Sequence, residues 1–149
     1  MKGVVDCEDL PLNISRENYQ DSTLITKLRN VLTRRVIKMI EDEAKRDVTK
    51  YNQWYNDFSV FIKQGIAVDS DNKDALFRLL RFETMKHGAR TFTSLDDYIA
   101  EMQPDQEKIY FTVNQQYDLA LKSPYMEPFK GSDLDVLVLT VNIDEILFN

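Results

Sequence analysis

KIYFTVNQQYDLALKSPYMEPFKGSDLDVLVLTV, Lys108 to Val141, decides the fold. Lys108–Val113 is dense in β-forming side chains and reads as a strand. Asp135–Val141 is a nearly continuous apolar run, as expected of a strand buried on both faces. Gln115–Lys130 lies between them, largely helical but interrupted by Pro124 and Pro128. A strand, a helix and a strand joined over this length predict a right-handed parallel crossover. Asn142–Phe148 is expected to add a closing helical turn.

Upstream the apolar period changes from that of strands to that of helices. Asp21 or Ser22 can cap a long helix reaching about Lys45. Its apolar stripe is Leu24, Leu28, Val31, Leu32, Val36, Met39 and Ile40, at three- and four-residue steps. A second helix is predicted over Val48–Gln64, with Tyr51, Tyr55, Phe58 and Ile62 on its stripe and Trp54 and Phe61 widening it. Gly65 stands where a left-handed C-terminal cap would go. A third helix starts near Ser70, with Leu76, Leu79 and Leu80 inward. Lys86–Phe92 contains Gly88 and breaks the pattern. Thr93 or Ser94 then caps a short helix with Leu95, Tyr98, Ile99 and Met102 inward. The expected architecture is α/β: long amphipathic helices forming a helical coil, then a small α/β unit built on the crossover.

The bulk composition narrows the class. The chain has 149 residues, 43% hydrophobic and 30% charged, with a formal net charge of −6. That suits a soluble globular protein with a core. The acidic balance argues against nucleic acid, which leaves a basic footprint. Nothing approaches the length of a membrane-spanning apolar run. MKGVVDCEDL reads as neither a secretory signal nor a transit peptide. One cysteine, Cys7, and one histidine, His87, build neither an internal disulfide nor a structural zinc site from Cys and His. No metal-binding set and no general base are expected. Adjacent Asp96 and Asp97 do not converge on one point and read as helix capping. Asp69–Asp74 lacks the glycine and glutamate of a calcium loop and reads as helix-start acidity. His87 reads as a loop histidine. Lys27, Arg34, Lys38 and Lys45 share one helical stripe and read as a solvated face.

GVVDCEDLPLNISRE, Gly3–Glu17, places one arginine, Arg16, at the end of a polar loop. Val4–Val5 suggests the end of a strand. Leu10-Pro11-Leu12 is held extended, because a residue before proline avoids the helical region. A guanidinium on a loop between rigid elements can clamp an anion such as phosphate.

GVVDCEDLPLNISRE, IKQGI (Ile62–Ile66), LLRF (Leu79–Phe82), TSLDDYIAEM (Thr93–Met102) and KIYF (Lys108–Phe111) resemble, in this order, the middle domain of the heat-shock-protein-90 chaperone family. TLITKLRNVLTRRVIKMI and SPYMEPFK look most like its mitochondrial, tumour-necrosis-factor-receptor-associated branch. The resemblance implies three parts. Residues 1–47 would close the larger middle-domain subdomain, with the catalytic loop and long helix. Residues 48–92 would form a helical coil, and 93–149 a small α/β subdomain. The nucleotide-binding and dimerisation domains would lie outside, so the chain is expected to be a fragment.

The resemblance implies an ATP-dependent chaperone that binds unfolded clients as a homodimer. Arg16 would contact the γ-phosphate of ATP held, with magnesium, by the N-terminal nucleotide-binding domain. Asn13 and Gln20 match polar positions near that phosphate, and Glu17 would cap or brace the loop. The fragment alone would hold no cofactor and hydrolyse no ATP. Tyr125, Met126 and Phe129, between prolines, would offer clients a surface, because Met and aromatic side chains adapt to varied partners. Packing on the sheet is the plainer use of the same residues. A mitochondrial location follows from the branch, with the cytoplasm as the alternative. A free-standing helical adaptor without nucleotide chemistry is the rival reading.

Overall fold

A computed structural model describes residues 4–6 and 23–148. The chain divides into two units, residues 1–39 and 40–149. In the first, Val4 and Val5 carry no regular secondary structure and are exposed, rather than ending a strand. Strand structure needs a hydrogen-bonded neighbour, and among the described residues nothing pairs with them. The rest of that unit's described residues belong to helix α1 (Thr23–Arg46), which continues into the second unit. Part of its predicted apolar stripe, Val31, Leu32, Val36 and Met39, is exposed.

The second unit builds on α2 (Val48–Val68) and a four-stranded sheet. Asp47 caps α2 by accepting a hydrogen bond from the Lys50 amide at 3.0 Å. The helix does not stop at Gly65. It runs to Val68, and the Asp69 amide closes it on the Gly65 carbonyl at 2.8 Å. Gly65 serves close packing instead, since a Cβ there would meet Leu76 Cδ1 at 3.2 Å. The predicted third helix is a single 3₁₀ turn, Ser70–Asn72, running into the short α3 (Lys73–Phe77). Leu79 and Leu80 beyond it are buried, as their spacing predicts.

Strands β1 (Phe82–Thr84) and β2 (Gly88–Thr93) form a hairpin across the stretch expected to be irregular. Helix α4 (Leu95–Ala100) follows, capped by Ser94, whose hydroxyl accepts from the Asp97 amide. Tyr98 of α4 is buried, but Ile99, expected inward, is 53% exposed. Then come β3 (Phe111–Val113), α5 (Tyr117–Leu121), a 3₁₀ segment Pro124–Phe129, β4 (Leu137–Leu139) and α6 (Asn142–Phe148).

The sheet order is β2-β1-β4-β3, so it begins at Phe82, ahead of residue 93. β3 and β4 are parallel, pairing Phe111 with Leu137 and Val113 with Leu139, as the crossover reading requires. β1 lies antiparallel to both β2 and β4. Leu137, Val138 and Leu139 are all at or below 1% exposure, so β4 is covered on both faces. Both strands of the crossover are shorter than the apolar runs that announced them.

One charged pair sits in this interior. Lys63 of α2 and Asp144 of α6 meet at 2.6 Å with side chains only 4% and 2% exposed. The contact is close but off the hydrogen-bonding direction at Asp144 Oδ1. Asp144 Oδ2 accepts the Val141 amide at 3.3 Å. Removing one partner strands the other charge in the core. Lys63→Met or Asp144→Leu alone is therefore expected to cost about 3–5 kcal/mol, and the double apolar replacement to recover most of it. Urea denaturation of the three variants reads this directly.

Candidate functional site

Arg16, Asn13 and Gln20 lie outside the described residues, so the loop carrying the anion-clamp reading has no geometry here. The candidate client-surface residues do. Ser123 starts the 3₁₀ segment, and Pro124 occupies its first turn, where a missing amide costs nothing. The tight winding turns Met126 inward to 2% exposure and leaves Tyr125 86% exposed. Phe129 packs at a tilt against Tyr110, with ring centroids 5.0 Å and planes 59° apart. Of the three, Tyr125 offers a surface. Met126 belongs to the core, which corrects its place among surface candidates.

Helix α2 carries a second apolar surface that the sequence reading assigned to the coil core. Tyr51, Tyr55, Ile62 and Ile66 are buried. Trp54, Phe58 and Phe61 form a row beside them, with centroid separations of 5.5 Å and 6.3 Å. Phe58 is 44% exposed and Phe61 65%. The helical angle already separates them: at roughly 100° per residue, Trp54 and Phe61 stand about 100–120° from Tyr55.

Another side of α2 presents Thr49, Asn52, Gln53 and Asn56 to a groove of about 890 Å³. Glu83, Arg90, Thr91 and Thr140 line its other wall. Asn52 Oδ1 is buried with no hydrogen-bond partner. Arg90 has φ of 61°, a left-handed conformation that side-chain-bearing residues rarely adopt. Its amide donates to Glu83 Oε1, which holds that conformation in place.

Three tyrosines anchor these surfaces. The Tyr51 hydroxyl donates to the Leu79 carbonyl at 2.6 Å, and the Arg81 guanidinium lies 4.7 Å over its ring. Burial pushes the Tyr51 hydroxyl up to about 12, with the nearby Arg81 charge pulling the other way. Tyr55 is pushed up by burial as well. The Tyr98 hydroxyl donates to the Asp135 carbonyl at 2.7 Å and accepts from the Tyr110 amide at 3.2 Å, tying α4 to the approach of both crossover strands.

Residues 1–149 match the family model described as Hsp90 protein. The chain belongs to the Hsp90 family. It is 45% identical over 150 residues to the chaperone protein HtpG of Buchnera aphidicola subsp. Cinara cedri, covering 100% of this chain and 24% of that protein. The chaperone protein HtpG of Desulfitobacterium hafniense is 42% identical, covering 99% of this chain and 24% of its own. The mitochondrial TNF receptor-associated protein 1 homolog of Dictyostelium discoideum is 41% identical, covering 99% and 21%. The chain thus spans about a quarter of the length of the curated relatives it matches. The mitochondrial branch is represented among them, beside bacterial relatives of similar identity.

The tyrosines set a pH limit on stability. In the unfolded chain tyrosine loses its proton near 10, while folded Tyr51 keeps it to about 12. Between those values the unfolded state binds fewer protons, so stability falls as pH rises. Denaturation midpoints measured from pH 9 upward are expected to decline through this window, and Tyr51→Phe to decline less steeply.

Proposed function

We propose that this chain is the portion of an ATP-dependent molecular chaperone that completes a nucleotide site housed in another domain and adds part of the surface for unfolded clients. The observation that carries the reading is the end-to-end family match, which includes the loop GVVDCEDLPLNISRE. That match favours it over a free-standing helical adaptor. In this reading Arg16 reaches the γ-phosphate of ATP in cis. It neutralises charge that spreads over the transferred phosphoryl oxygens, as arginines do in other nucleotide hydrolases. Asn13 and Gln20 orient the same phosphate. ATP and magnesium belong to the nucleotide-binding domain, and the whole protein acts as a homodimer.

Clients meet the exposed apolar residues. Tyr125, the half-buried Phe129 and the Phe58–Phe61 row are the candidates, because adaptable apolar side chains on a rigid support suit partners without a fixed shape. The mitochondrial branch resemblance supports a mitochondrial location, and the bacterial relatives support a cytoplasmic alternative.

The nucleotide role predicts that the 149-residue chain turns over no ATP by itself. In the full-length protein, Arg16→Ala is expected to cut hydrolysis about 10²–10³-fold, with nucleotide affinity nearly unchanged. Steady-state ATPase assays beside nucleotide titration separate the two quantities. Unchanged turnover removes Arg16 from the site. The client role predicts that Tyr125→Ser and Phe61→Ser each weaken suppression of aggregation of a denatured test protein. Circular dichroism of the same variants checks that the fold is intact.

A further inference from the structure

His87, Glu101 and Asp135 come from three separate elements: the β1–β2 turn, the residue closing α4 and the approach to β4. Each offers one ligand atom, and these atoms all lie within 4.8 Å of one another. His87 Nε2 already lies 2.8 Å from Glu101 Oε2, within hydrogen-bonding distance. Two of the three residues are held from behind. Asp135 Oδ1 accepts the Lys86 amide at 3.0 Å and the Val136 amide at 2.8 Å, which fixes the plane of a carboxylate only 7% exposed. The His87 amide donates to Thr84 Oγ1 at 3.1 Å, which fixes the turn. The neighbouring Lys86 ammonium is turned to the Asp133 carbonyl at 2.5 Å.

We propose that His87, Glu101 and Asp135 form a binding site for a divalent transition-metal ion of the zinc type. The ion takes the place of the direct contact between His87 and Glu101. Zinc bonds of about 2.0–2.2 Å at a near-tetrahedral angle put ligand atoms about 3.3 Å apart. His87 and Glu101 separate slightly to reach that spacing. Asp135 stays fixed, and the remaining separations, all within 4.8 Å, close by movement of the exposed His87 and Glu101 side chains toward it. One imidazole nitrogen with two carboxylates selects zinc-type ions over magnesium and calcium, which prefer all-oxygen sets. Water completes the coordination.

Bound metal would clamp the β1–β2 turn, α4 and the start of β4 together. Backbone donors holding Asp135 give it the fixed orientation that a metal ligand needs. Sequence reading found no metal-binding set because the three residues are far apart in the chain and become neighbours only through the sheet order.

The test uses zinc chloride on the full chain carrying Cys7→Ser, so that the lone thiol does not compete. Micromolar zinc is expected to raise the melting temperature, because a ligand bound only by the folded state stabilises it. Magnesium or calcium at the same concentration is expected to leave it unchanged. His87→Asn is expected to weaken zinc binding by about tenfold or more in calorimetric titration, and Glu101→Gln by a smaller factor. Both positions are solvent-accessible, so neither variant threatens the fold. Cobalt(II) gives a second readout, a visible absorption band that His87→Asn abolishes. A zinc response of equal size in wild type and His87→Asn, or none in wild type, overturns the proposal.

Discussion

The Lys63–Asp144 pair fixes how the second unit is assembled. Moving two charges out of water costs several kcal/mol for each, and only their mutual attraction offsets it. Here the ammonium comes from the middle of α2 and the carboxylate from α6, directly after the most deeply buried strand. Phe82 of β1 sits beneath the same ammonium, 5.8 Å from ring centroid to nitrogen. A helix packed by apolar contacts alone could slide along the sheet by one turn and repack. With this pair, a slide of about 5.4 Å leaves two unpaired charges in the core. The pair thus sets register at least as much as it adds stability.

The same logic runs through the neutral polar groups. Tyr51 spends its hydroxyl on the Leu79 carbonyl, at the point where the chain leaves α3 for the sheet. Tyr98 gathers the Asp135 carbonyl and the Tyr110 amide, one group ahead of each parallel strand. The Tyr117 hydroxyl bonds the Thr84 carbonyl at 2.9 Å, joining the crossover helix to the hairpin. Each bond satisfies a backbone group where regular structure ends, and there unsatisfied groups are most expensive. Short strands are sufficient because the tyrosines carry the pairing beyond their ends.

Much of this was legible in the residues. The apolar run of β4 signals burial on both faces, and the length of the connection to β3 signals a parallel partner. Helices α1 and α2 follow from their periodicity. The hairpin was not legible, because ETMKHGARTFT has neither clean alternation nor an apolar run, and its second strand is an edge with three exposed residues in sequence. A bulge between its ends further breaks the period. Gly65 misled because glycine marks helix ends through its backbone freedom, whereas here it is needed for the space of a missing side chain. Lys63 reads in the sequence as a cation suited to the negative end of the helix until its distant partner is seen.

The candidate sites divide along the same line. A lone arginine in a polar loop is chemically neutral evidence, and only the motif around Arg16 gives it a purpose. The aromatic surface of α2 was legible in principle, since the helical angle already sets Trp54 and Phe61 aside from Tyr55. What the angle lacks is the identity of the layer underneath. Tyr55 meets Phe92 edge-on at 5.7 Å, so the inner face is filled by the sheet, and among the described residues nothing covers Phe58 and Phe61, which stay exposed. The buried pair and the exposed row thus belong to one argument. A charge locked on the inner side holds α2 still, and a helix held still can present Phe58 and Phe61 to water without collapsing onto them. Rigid support lowers the entropy lost when an apolar partner arrives, so a surface of this kind binds without having to order itself first.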